Sequence, residues 1–128
     1  GDQFIKEIKN FNLFLENSKK PNMAIIGGSK ISTKIKLLNN LIEQFRPLML
    51  ENARLSIELE PGCKQFDVCF NSEKPEECFL YEVYDDKSAF DTHLLMPHFK
   101  DFDSKVAEML DNKAVKLFSL VQGKALQS

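Results

Sequence analysis

The sequence predicts one α+β domain behind an N-terminal segment of different character. Three observations carry this. An apolar helical stripe runs from Ile31 to Leu59. Two apolar runs, Lys64 to Phe70 and Cys78 to Tyr84, flank a polar loop as an antiparallel hairpin does. A broken helix then leads into an alternating run, Lys113 to Val121. The 128 residues suffice for one domain and are too few for two ordinary cores. With 43% hydrophobic and 28% charged residues the chain is globular, neither collagen-like nor wholly disordered.

Along the chain, Phe4, Ile5, Ile8, Phe11 and Leu15 form a roughly helical pattern that stops at Asn17–Pro21. Met23–Ile26 reads as a short buried strand, ended by Gly27-Gly28-Ser29. Ser29 or Ser32 can cap the helix that follows. Its stripe places Ile31, Ile35, Leu38, Ile42, Phe45, Met49, Asn52, Ser56 and Leu59 alternately four and three apart. Unbroken, that helix would be about 43 Å long and would overhang strands of roughly 23 Å. Pro47 lacks an N–H, so a kink or break within a turn of it is expected, with Met23–Ile26 folding back as a strand. Asn52 and Ser56 put polar groups on the stripe, and a buried Asn needs partners.

Glu60-Pro61-Gly62-Cys63 stops the helix. In the hairpin both faces carry apolar residues, so both call for cover: helices on one, a second copy of the chain on the other. Asp85–Ser88 is a turn and cap; Ala89, Phe90, His93 and Leu94 follow at helical spacing. Met96-Pro97 interrupts the helix, because the residue before Pro avoids the α region. Phe99, Phe102, Val106, Met109 and Leu110 resume it.

Composition narrows function. The formal net charge of −2 gives no basic excess for nucleic acid. Residues 1–44 hold seven Lys and four acids, whereas residues 45–128 hold ten Lys plus Arg and fifteen acids, a shift that marks two parts. No apolar run approaches the ~20 residues needed to span a bilayer. The first residues lack a basic stretch followed by an apolar one, which points to the cytoplasm. Cys63, Cys69 and Cys78 fit free thiols better than one disulfide between Cys69 and Cys78. Their spacing, with two His, makes no zinc motif, so neither metal nor cofactor is expected.

Gly27-Gly28-Ser29-Lys30 is a glycine-rich turn, where a helix start would favour phosphate. Glu82 lies in an apolar strand, where an unpaired carboxylate is expensive. His93 and His98, the only histidines, flank a helix break among Phe90, Phe99 and Phe102. A lone His on an apolar face usually belongs to the core. A Glu that orients an imidazole fixes its tautomer and suits it to general base work.

Two resemblances follow from these residues. Asn17-Ser-Lys-Lys-Pro-Asn-Met-Ala-Ile-Ile-Gly-Gly-Ser-Lys-Ile-Ser-Thr-Lys, within residues 5 to 44, resembles an internal piece of phosphoglycerate kinase. That resemblance implies Gly27, Gly28, Lys30 and Lys34 near nucleotide phosphates, although the rest of such a kinase is missing and a working kinase is not expected. Glu51–Ser56, Glu60–Cys63, Phe66-Asp67-Val68, Leu80–Tyr84, Ala89–His93 and Pro97-His98-Phe99 resemble the small antibiotic biosynthesis monooxygenases. This implies a ferredoxin-like α+β domain that dimerises through its sheet into an α/β barrel, and in many members oxidation of quinols or phenols by O₂ without a cofactor. The expected division is residues 1–44 and residues 45–128, a fusion in which the kinase-like piece replaces the family's first, central strand.

The site expected on this basis has four catalytic residues. Asn52 holds the substrate oxygen, His93 or His98 takes its proton, and Glu82 orients the histidine. Tyr81, Phe90, Phe66 and Phe99 wall an aromatic small molecule. An isomerase using the same base, or a non-catalytic dimeric relic of the fusion, are the alternatives.

Overall fold

The computed structural model describes residues 28–121. The helical pattern of residues 4–15, the strand at Met23–Ile26 and Gly27 lie outside them. Strand β1 (Ser29–Leu37) leads through a 3-10 turn (Asn39–Leu41) into helix α1 (Ile42–Leu59). Strands β2 (Cys63–Phe70) and β3 (Glu77–Tyr84) form the hairpin. Helices α2 (Lys87–Leu95) and α3 (Pro97–Val106) follow, then a 3-10 turn (Ala107–Met109) and strand β4 (Leu110–Ser119). The sheet has the order β2-β3-β1-β4, every pair antiparallel, with the helices on one face. This is the expected ferredoxin-like α+β fold, with an open sheet rather than a closed barrel.

The main correction is at β1. Residues 29–37 form the central strand, not the start of a helix. Ser29, Ile31, Thr33, Ile35 and Leu37 are buried, while Lys34 and Lys36 point to the exposed face. Ile31 and Ile35, four apart, satisfy a strand as well as a helix. Thr33 between them decides for the strand, and β-branching at all three positions suits it. The central strand that the monooxygenase resemblance implies is therefore present, within the kinase-like segment.

The long helix does not form, but its break lies at Leu38–Leu41 rather than at Pro47. α1 runs on through Pro47, which sits exposed on its sixth residue. There only one carbonyl, that of Glu43, loses its intrahelical partner. The 18-residue helix is about 27 Å long, which matches the strands beneath it. β4 begins at Leu110 and ends at Ser119, three residues earlier at its start than expected, and excludes Val121.

The core lies between α1, α3 and the sheet. Phe45 and Met49 of α1 meet Phe102 and Val106 of α3 over Ile35, Leu37, Cys78 and Leu80. A second cluster joins Ile31, Cys63, Tyr84 and Phe90. β4 is less covered: Val115 and Leu117, on the helix side, remain 44% and 42% exposed. Cys63, Cys69 and Cys78 are free thiols, and burial pushes Cys63 up to about 11 and Cys78 up to about 12.

Candidate active site

Three local devices bring the site together. α1 ends at Glu60, whose N–H donates to the Ser56 carbonyl at 3.1 Å. The turn Pro61-Gly62 then reverses the chain against α2. A Cβ on Gly62 would lie 2.6 Å from the Ala89 Cβ, so only glycine permits this approach. α2 is fixed at its start by Asp86, whose side chain accepts from the Ala89 N–H at 2.8 Å. Met96 is extended, Pro97 occupies the first turn of α3, and the break holds His93 and His98 on the same side as Glu60.

His93 is buried, and its Nδ1 lies 2.8 Å from Glu60 Oε2. His98 Nε2 lies 2.5 Å from the same oxygen. A carboxylate oxygen accepts, so each ring donates its N–H to Glu60. Burial works to raise the Glu60 carboxyl, but His93 and then His98 outweigh it and hold it below its usual range. With Nδ1 protonated, neutral His93 carries its lone pair on Nε2. That nitrogen stands 4.0 Å from Glu82 Oε1. Rings of Phe99, Tyr84 and Phe66 surround the imidazole at 5.0, 5.5 and 6.0 Å.

Glu82 is buried and accepts from the Tyr84 hydroxyl at 2.6 Å. Burial raises its carboxyl above the usual range, against the lowering effect of that hydrogen bond. Two carboxyls thus flank one imidazole with opposite tendencies. The two histidines favour the ionised form of Glu60, and burial favours the neutral form of Glu82. Glu60, not Glu82, is the carboxyl within hydrogen-bond distance of the His93 ring.

A cavity of about 50 Å³ lies between sheet and helices. Asn52, Glu82, His93, Phe66, Phe90 and Phe99 all line it, so six of the eight expected catalytic and substrate-binding residues converge. Asn52 is buried, and its Oδ1 has no hydrogen-bond partner among the described residues. Two of the expected residues lie outside that cavity. Tyr81 alternates to the opposite face of the sheet, where Lys30 Nζ stands 5.6 Å from its ring. His98 is absent from the lining and reaches a separate hollow of about 80 Å³ between α1 and α3. Lys30 and Lys34 lie on the face of β1 away from the helices, and Gly28 just precedes that strand.

Glu60, Thr33 and Lys113 were missed as site residues. Thr33 and Lys113 line the cavity from β1 and β4. Glu60 had a signal: Asn52, Ser56 and Glu60 are four apart, so the polar side of the stripe ends in a carboxylate. Reading Glu60 only as a helix stop concealed it.

Comparison with known proteins gives two overlapping matches. The sequence model of the antibiotic biosynthesis monooxygenase family matches residues 32–105. That of phosphoglycerate kinase matches residues 1–55. Among solved structures, an antibiotic biosynthesis monooxygenase superposes with TM-score 0.68 at 21% identity, covering 73% of this chain and 99% of that one. A conserved protein from Methanosarcina mazei gives TM-score 0.70 at 20% identity, with 77% and 97% covered. At such identities the likeness is one of fold. The phosphoglycerate kinase of Coxiella burnetii is 44% identical over 50 residues, 39% of this chain and 13% of the kinase. That of Orientia tsutsugamushi (strain Boryong) is 37% identical over 76 residues, 59% of this chain and 18% of the kinase. The chain therefore spans less than a fifth of these two kinases. No helix among the described residues is long and apolar enough to cross a membrane.

Proposed function

The chain belongs to the antibiotic biosynthesis monooxygenase family, and on that premise we propose that it is a cofactor-independent monooxygenase acting on a phenolic or quinol-type small molecule. The observation that carries this is that His93 and Asn52, whose Oδ1 has no partner among the described residues, line one cavity. Asn52 Oδ1 accepts a hydrogen bond from one hydroxyl of the substrate and positions the ring. His93 Nε2 takes the proton of a second hydroxyl, and the ionised Glu60 at Nδ1 stabilises the imidazolium formed. The resulting anion passes one electron to O₂. Recombination of the pair forms a carbon–oxygen bond and a hydroperoxide. Loss of water, with His93 returning the proton, leaves a carbonyl. A ring C–H becomes C=O while the phenolic C–OH becomes a second C=O, and the two hydrogens leave with the other oxygen atom of O₂ as water, so electrons balance without a further reductant. The cavity as it stands holds a few waters. An aromatic ring enters by displacing side chains towards the poorly covered β4.

The same reading takes the chain as a fusion divided near residue 44, with a homodimer formed through the outer sheet face. Phe79 and Phe118 stand 38% and 54% exposed there, which supports such cover. The test is O₂ uptake across a panel of quinols and phenols. We expect uptake with a hydroxylated aromatic, lost at least a hundredfold in His93→Ala with cooperative unfolding retained. Glu60→Gln should lower turnover more than Glu82→Gln, because Glu60 meets Nδ1 directly. Undiminished turnover under nitrogen would turn the reading to an isomerase on the same base.

A further inference from the structure

Glu60, His93 and His98 form more than a base and its support. We infer that the three side chains are a binding site for a divalent first-row metal ion of the zinc type, on the Nδ1 side of His93 and behind the substrate cavity. One ligand atom from each lies within 4.8 Å of the other two. Two imidazoles and one carboxylate are the donor set such ions take, with a position left open for water.

Three further features favour an ion there. Glu60 Oε1 is buried and has no hydrogen-bond partner among the described residues, so an acceptor is unspent. A cation satisfies it. The contacts of 2.8 and 2.5 Å to Glu60 Oε2 describe the form in which N–H groups occupy the centre. Ligands about 2.1 Å from a tetrahedral ion stand about 3.4 Å apart, so the site opens by under an ångström at each contact. A hollow of about 210 Å³ lined by Glu60, Pro61, Gly62 and Thr92 adjoins the cluster on its Glu60 side.

Binding has a chemical consequence. Each neutral ring coordinates through the nitrogen that now carries its proton, so that proton moves to the other nitrogen. For His93 the proton moves from Nδ1 to Nε2. The nitrogen facing the cavity then donates instead of accepting. A loaded site therefore silences His93 as a base, and the ion acts as an inhibitor of proton abstraction.

The inference stands apart from the proposed oxidation, because its test reads binding. Calorimetric titration of the tag-free chain with Zn²⁺ should show one site per chain, with Kd in the micromolar range or tighter and a raised melting temperature. Co²⁺ should give d–d absorption bands near the intensity of a four-coordinate centre. His98→Ala removes a ligand whose side chain is only 6% exposed and should weaken Zn²⁺ binding at least tenfold while the chain still unfolds cooperatively. Glu60→Gln should do the same. Absence of saturable binding by the unaltered chain at 100 μM Zn²⁺, on the order of a weak surface site, overturns the inference. So does binding that His98→Ala and Glu60→Gln both leave unchanged.

Discussion

β1 and α1 carry the same spacing and fold differently. Ile31 and Ile35 are four apart in β1, and Phe45 and Met49 are four apart in α1. All four side chains are buried. A separation of four returns to one face under a period of 2 and under a period of 3.6. The residues between them make the difference. In β1, Thr33 is buried and Lys34 is exposed. In α1, Arg46 and Pro47 are exposed, and the stripe resumes at Asn52 three residues after Met49. An apolar pair at i and i+4 is thus silent about secondary structure, and position i+2 speaks.

The sharpest way to break this comparison is to charge that position. Placed on a helix with Ile31 and Ile35 inward, Thr33 would face water and Lys34 would lie near the buried side. In the strand the order is reversed. Thr33→Asp should therefore destabilise by about 3 kcal/mol or more, since it buries a carboxylate without a partner. Lys34→Asp should shift stability by under about 0.5 kcal/mol. Urea unfolding of the two variants checks this, and equal effects would undo the assignment of faces.

Pro47 sharpens the comparison from the other side. α1 accepts it because the helix starts only five residues earlier and burial of Phe45 and Met49 holds the turn. One carbonyl is still left without its intrahelical donor. Pro47→Ala should stabilise by about 1–2 kcal/mol, the restored bond being partly offset by the freer unfolded chain. Thermal unfolding of the variant reads this directly.

The hairpin, the cap at Asp86 and the break at Met96-Pro97 were legible because each rests on local chemistry: alternation, an N-terminal cap, a proline. β1 was not, because its kinase-like sequence meets both periods and only the neighbouring strands select one. β3 and β4 offer it hydrogen bonds on both edges. At the site, His93, Glu82 and Asn52 were legible as polar residues on apolar stripes. Tyr81 was misplaced although β3's own alternation separates it from Glu82. The closeness of Glu60 to both histidines depends on the Gly62–Ala89 approach, a tertiary contact that spacing along the chain does not encode.

The smallest expected effect concerns the lysines of the kinase-like segment. Phosphate binding at a glycine-rich turn needs backbone N–H groups left unpaired at a helix start. Here Ser29 to Lys36 pair with β3 on one edge and β4 on the other, which uses those N–H groups in the ladder. Lys30 instead lies over the Tyr81 ring, and the Lys36 Nζ pairs with Asp111 at 3.8 Å, an exposed contact. Neither arrangement gathers charge around an anion. Lys30→Ala and Lys34→Ala should each alter stability by under about 0.5 kcal/mol, as surface substitutions do. Millimolar ADP should leave the melting temperature of the unaltered chain where it was. A rise with ADP that Lys30→Ala abolishes would mean that this segment leaves the sheet to bind nucleotide. β1 would then resemble its kinase counterpart in conformation as well as in sequence.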